Sequence, residues 1–138
     1  MLQPKRTKFR KFHKGKAQGI IQNNPSGSAL SFGTFGIKTL IAGRISARVI
    51  EAARRTITRK MRRSGQLWIR IFPDIAVSTK PAEVRMGKGK GNPDFWICRV
   101  QAGQILFEID GISLDLAKQA ATLACQKIPF PTVFVIRQ

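Results

Sequence analysis

The chain has 138 residues, 25 lysines and arginines against 7 acids, a formal net charge of +18 and 43% hydrophobic residues. That length suits one domain with appendages, and the apolar content suits a folded core, so the charge decorates a globule and does not signal global disorder. A lone histidine, His13, and two distant cysteines, Cys98 and Cys125, without C-x-x-C spacing argue against zinc, a histidine triad or a redox pair, and two buried free thiols are expected. No run reaches the roughly 18 apolar residues of a membrane span, and the basic start lacks the apolar stretch of a signal peptide. With Pro4 and no amphipathic helical spacing, that start is read as part of the mature protein.

The first sixteen residues carry Lys5, Arg6, Lys8, Arg10, Lys11, Lys14 and Lys16, with Phe9, Phe12 and His13 between them and no acid. Such a segment repels itself unless a polyanion is near. Lysines and arginines release counterions from a phosphate backbone, and Phe and His rings can stack on bases. Residues 22–28 (Gln-Asn-Asn-Pro-Ser-Gly-Ser) are turn formers. Residues 1–28 are therefore read as a basic RNA-binding extension and loop, and 29–138 as one α+β domain.

Leu30, Phe32, Phe35 and Ile37, interrupted by Gly33 and Gly36, predict a strand with a glycine bend over 29–40. The Phe-Gly-x-Phe-Gly pattern lacks the leading basic residue of RNA-binding aromatic signatures, so core packing is expected for both phenylalanines. Ser46 is a helix cap, and the helix is expected to run to about Arg63, closed by Ser64-Gly65. Val49, Ile50, Ala53, Ile57 and Met61 fall within an arc of about 120°. Arg48, Arg55, Arg59 and Arg62 lie opposite, with Arg63 beside them. Glu51 is the only acid there, so these arginines gain nothing from one another, and an anionic partner would remove their repulsion.

Strands are predicted over 66–71 and 75–78, and a hairpin from 95–101 and 104–109 around Ala102-Gly103. A second amphipathic helix spans 113–126, with Leu114, Ala117, Ala121, Ala124 and Ile128 on one side, and a last strand spans 132–136. The sum is an α+β fold, a mostly antiparallel sheet with two helices packed on one face.

Within loop 80–93, Gly87, Gly89 and Gly91 alternate with Lys88 and Lys90 after Arg85 and Met86. Glycines there would let backbone N–H groups approach phosphate oxygens, with lysines as point charges. Lys88 and Lys90 are each followed by glycine, which breaks the Walker pattern, and Asn92 breaks G-x-G-x-x-G. No nucleotide cofactor is expected. Residues 1–90 hold 21 of the 25 cations against Glu51, Asp74 and Glu83, whereas four cations and four acids balance in 91–138. The excess marks a binding tail and face on a neutral scaffold.

The opening Met-Leu-Gln-Pro-Lys-Arg-Thr-Lys-Phe-Arg-Lys, Ser-Phe-Gly-Thr-Phe-Gly at 31–36, Ile-Glu-Ala-Ala-Arg-Arg at 50–55, Trp-Ile-Arg-Ile-Phe-Pro-Asp at 68–74, Lys80-Pro81 and Val-Arg-Met-Gly-Lys-Gly-Lys-Gly-Asn at 84–92 together resemble the bacterial and organellar L-sixteen family of large-ribosomal-subunit proteins. The resemblance covers essentially the whole chain. It implies a hammerhead-like, non-catalytic protein held on large-subunit ribosomal RNA beside the aminoacyl-tRNA site, with neighbouring ribosomal proteins as partners and neither a membrane nor a small-molecule substrate. By position, Lys5, Arg6, Lys8, Arg10, Lys11, His13, Lys14 and Lys16 would lie in ribosomal RNA with the arginine helix face, and Arg85 to Gly91 would point toward tRNA. The stretch 22–29 departs from the bacterial pattern, so no contact is carried over there. Phrases such as Gly-Gln-Ile-Leu-Phe-Glu at 103–108 and Gln-Ala-Ala-Thr-Leu-Ala at 119–124 are more similar to mitochondrial members, which implies the mitochondrial matrix, with the bacterial cytoplasm as the alternative. A free nonspecific nucleic-acid-binding module and, more weakly, a nucleotide enzyme are the competing readings.

Overall fold

Residues 2–13, 15 and 26–137 are described by the computed structural model, and they form seven strands and two helices. In chain order these are β1 Phe35–Thr39, β2 Gly43–Ser46, α1 Ala47–Lys60, β3 Gln66–Ile69, β4 Ile75–Thr79, β5 Asn92–Val100, β6 Ile105–Asp110, α2 Leu114–Cys125 and β7 Thr132–Ile136. The α+β class is as expected, but the strands sort into two antiparallel sheets, β3-β6-β1-β7 and β2-β5-β4.

The expected hairpin of β5 and β6 does not form. Strand β5 is already paired on both edges, by β2 and β4, and has no free edge for β6. The turn between them is fastened to the end of β1, where Gly103 N–H donates to Thr39 O at 2.8 Å and Thr39 N–H donates to Gln104 O at 2.9 Å. The turn thus carries the chain from one sheet to the other. Strand β2 escaped the sequence reading because four residues including Gly43 and Arg44 show no useful alternation. Residues 29–34 are not strand either, and β1 begins only at Phe35.

Helix α1 starts where expected: extended Ser46 accepts a bond from Val49 N–H on its side-chain oxygen at 3.4 Å. It buries Ala47, Ile50, Ala53 and Ile57 and ends at Lys60, short of the expected Arg63. Arg62 and Arg63 have φ of 52° and 64°, so they form a left-handed turn capped by Arg63 N–H to Thr58 O at 3.4 Å. Helix α2 packs against α1 through Ala117, Ala120, Ala121 and Ala124, small side chains that allow close approach. Leu114 is exposed, contrary to its place on the expected apolar side. Of the thiols, Cys98 is buried and Cys125 only half-buried. Burial, helped by the charge of Asp74, pushes the Cys98 thiol up to about 11.

Register explains the rest of the core. One face of the larger sheet carries Ile37 and Phe107 opposite each other, with Ile69 and Phe134 on the flanking strands, and this face meets the helices. The other face carries Trp68, Glu108, Gly36 and Val135 in one row. Glu108 is fully buried there, and a buried charge is tolerable only when paired and hydrogen-bonded. Its carboxylate accepts N–H bonds from Ser31 at 3.1 Å, Phe32 at 2.7 Å and Gly33 at 2.8 Å, and pairs with Arg70. Gly33 must lack a side chain here, because a Cβ would stand 2.6 Å from the Ile109 carbonyl oxygen. Burial pushes the carboxyl up, but the bonds from Gly33, Phe32, Ser31 and Arg70 outweigh it and hold the group below its ordinary value of 4.5.

Replacing Glu108 by Gln is expected to cost roughly 3 kcal/mol or more in chemical denaturation, since it removes the charge that pairs Arg70 and its one oxygen cannot serve both Arg70 and the backbone amides. A depressed folded value means that the stabilisation is complete above the ordinary carboxylate value and is lost as pH falls through the lower folded value. Wild type should therefore lose an increment of stability in acid that E108Q does not lose, as read from denaturation midpoints across pH.

Candidate nucleic-acid interface

Helix α1 presents Arg48, Arg55 and Arg59 on its exposed face, and the left-handed turn swings Arg62 and Arg63 into solvent beyond it. A groove of about 1050 Å³ between α1 and α2 is lined by Arg48, Arg55, Arg59 and Arg62 with Lys127 from beyond α2, over Leu116 and Leu123. Glu51 modifies the expected uniform arginine face. It accepts from Arg54 Nε and Nη2 and from Arg55 Nε, each at 2.8 Å. The Arg54 bond, opposed by burial and helped by Arg55, lowers the Glu51 carboxyl to about 2, so this triad is charged throughout the neutral range. Arg48, Arg59, Arg62 and Arg63 have no ion pair among the described residues. These four cations, with Lys127 across the groove, are available to neutralise an anion.

The tail is extended and largely exposed over Lys5, Arg6, Lys8, Arg10, Lys11 and His13. Lys14 and Lys16, and residues 22–25 of the departing stretch, lie outside the described residues. At its start, half-buried Leu2 packs against the core, beside Ala47 and Trp96. Phe9 is 73% exposed with Lys8 Nζ 5.6 Å from its ring centre, an arrangement open to stacking.

Tail and loop, far apart in sequence, meet. Lys11 Nζ donates to Lys90 O at 2.8 Å while Lys90 Nζ donates to Phe12 O at 2.6 Å, a reciprocal crossing of two cationic segments. Arg44 and Arg99 sit directly opposite each other on β2 and β5, a like-charge pair that opposes sheet formation. Tail carbonyls relieve it: Arg99 donates to His13 O and Arg44 to Gly15 O, and the Arg99 guanidinium lies 5.3 Å from the Phe12 ring centre. Neither arginine belonged to the expected site, since residues 55 apart in sequence give no periodic signal. The loop itself is exposed from Pro81 to Lys90, and Met86 is 98% exposed. Gly87, Lys88 and Gly89 all have positive φ, and Lys80 Nζ donates to Gly87 O at 2.6 Å, closing the loop on itself. Gly91 is required at the base, where any Cβ would collide with the Thr79 carbonyl.

No group of three or more His, Cys, Asp or Glu among the described residues could hold a metal, and no described helix is long and apolar enough to cross a membrane. What the residues do build is an α+β scaffold whose unpaired cations on a helix, a tail and a loop suit an extended polyanion. The chain belongs to the family described as ribosomal protein L16p/L10e, whose pattern matches residues 4–135. It is 58% identical over 137 residues to large ribosomal subunit protein uL16 of Rhodopseudomonas palustris (strain BisA53), covering 99% of this chain and 98% of that protein. It is 62% identical over 136 residues to uL16m of Prototheca wickerhamii, with the same coverage, and 56% identical over 137 residues to uL16 of Psychrobacter arcticus. The family is one of ribosomal proteins, and the chain is non-enzymatic.

Because Glu51 holds Arg55 back from an outside anion, E51Q is expected to steepen the salt dependence of RNA binding by about one unit of log K against log salt. Filter binding of duplex RNA over a salt series checks this. The same substitution should cost only about 0.5–1 kcal/mol of stability, as a partly exposed pair does.

Proposed function

We propose that the chain is a structural component of the large ribosomal subunit that binds large-subunit ribosomal RNA and shapes the aminoacyl-tRNA site for tRNA accommodation. The observation that carries this reading is the fastening of the cationic tail to the base of the cationic loop, within a chain matched end to end by ribosomal relatives. A tail anchored in RNA would then set where the loop points.

Division of labour follows from the partners each cation has. Arg48, Arg59, Arg62 and Arg63 have no ion pair among the described residues and would take phosphates, with Arg55 shared between Glu51 and RNA. Lys5, Arg6, Lys8, Arg10, Lys11 and His13, continued by Lys14 and Lys16, would run along the RNA backbone. Arg85 to Gly91 would face tRNA. Residues 1–28 act in this reading as the anchoring extension of the 29–138 domain. The 62% identity to uL16m of Prototheca wickerhamii supports a place in a mitochondrial ribosome, beside bacterial relatives at 56–58% that support a bacterial one.

Substituting Arg48, Arg59 and Arg62 together by Ala is expected to flatten the slope of log K against log salt by roughly 2 to 3 for ribosomal RNA, with sequence preference unchanged. An unchanged slope would remove this face from the interface. For the loop, Lys88→Ala should slow aminoacyl-tRNA accommodation while leaving the chain at full occupancy in large subunits. Lys90→Ala, which unfastens Phe12, should also lower occupancy. Rapid-mixing accommodation assays alongside quantitative mass spectrometry of purified subunits check both, and accommodation at the wild-type rate in K88A would contradict the role given to the loop.

A further inference from the structure

Both phenylalanines of the Phe-Gly-x-Phe-Gly segment were expected in the core, and only one is near it. Phe35 is half-buried and stacks on Phe134 with ring centres 5.7 Å apart. Phe32 is 57% exposed, yet it is held in place. Its ring lies 6.0 Å from that of Trp68 with 22° between planes, and the Arg70 guanidinium carbon is 4.9 Å from its centre. Its own N–H and those of Ser31 and Gly33 are bound to the buried Glu108 carboxylate, which also pairs with Arg70. Backbone and side chain are thus both immobilised before anything binds, while more than half of the residue faces solvent.

We propose that Phe32, backed by Trp68 and Arg70, is a stacking platform for one unpaired nucleobase of RNA. Covering Trp68 would require only an apolar side chain, whereas a near-parallel aromatic residue left 57% exposed offers π surface on which a base can stack. The Arg70 guanidinium, over the Phe32 ring and paired with Glu108, helps to hold that ring in place. Ser31 and Thr34, close to Phe32 in sequence, are exposed and polar, groups that suit the sugar and phosphate beside a stacked base. Of the nearby carboxylates, Glu108 is paired with Arg70, whereas Asp110 accepts from the Thr34 hydroxyl at 2.7 Å and keeps its charge.

The proposal rests on the ribosomal reading above, and the test separates the two. Large subunits carrying the wild-type chain, F32L, F32M or F32Y are treated with a reagent that acylates mobile 2′-hydroxyls. In F32L and F32M one or two unpaired nucleotides should become more reactive, their stacked population falling by roughly 5- to 150-fold, and F32Y should restore protection. Identical reactivity in wild type, F32L and F32M, with each chain retained in the subunit, would overturn the platform and leave the ribosomal reading standing. A wild-type chain absent from subunits would overturn both. Should neither F32L nor F32M be retained, short-wavelength ultraviolet irradiation of wild-type subunits decides: a nucleotide adduct on Phe32 supports the platform. An adduct on Phe9 but none on Phe32, or a link from Phe32 to a neighbouring protein, rejects it.

Discussion

A carboxylate with no exposure to water, in the middle of an inner strand of a four-stranded sheet, has to be neutralised from within the protein, and Glu108 is met by four groups that come from two other parts of the chain. Ser31, Phe32 and Gly33 bring three amides from the segment before β1. Arg70 brings its guanidinium from the end of β3. Removing any of these leaves a charge or a donor buried without a partner, a penalty of order several kcal/mol. The carboxylate therefore draws residues 31–33 over the sheet face that the helices do not cover. That same constraint fixes Phe32 at the surface, against Trp68, where neither hydrophobic pattern nor propensity would have put it.

The cationic surface is organised by which charges are satisfied internally. Glu51 occupies Arg54 and Arg55, Glu108 occupies Arg70, and tail carbonyls occupy Arg44 and Arg99. Those arginines hold the protein together. Arg48, Arg59, Arg62 and Arg63, with Lys5 and Lys8 of the tail, have no ion pair among the described residues, and an outside anion would relieve their repulsion. Tail and loop are not independent arms, because Lys11 and Lys90 cross onto each other's backbone. A protein built in this way couples the seating of its tail to the direction of its loop through a few hydrogen bonds at one place.

Helices, the last strand and the cationic segments were legible because each is written in local periodicity or composition. The α1 core face, the Ser46 cap and the run 132–136 all follow from spacing along the chain. The hairpin around Ala102-Gly103 was misread for the opposite reason. Turn chemistry is local, but whether two strands pair depends on whether their edges are free, and β5 had lost both edges to β2 and β4. Arg63 was assigned to a helix that had already turned left-handed at Arg62, a change that no propensity of arginine announces.

By itself, then, the sequence determined the α+β class, the amphipathic helices and the presence of a large, one-sided excess of positive charge, since these depend on neighbours within a few turns of chain. Only the tertiary structure decided the division into two sheets, the contact of tail with loop, the pairing of Glu108, and the exposure of Phe32. Each of these joins residues that are distant in sequence, or depends on what else competes for the same edge, donor or charge. Such competition is resolved by packing and electrostatics in three dimensions and leaves no period in the chain.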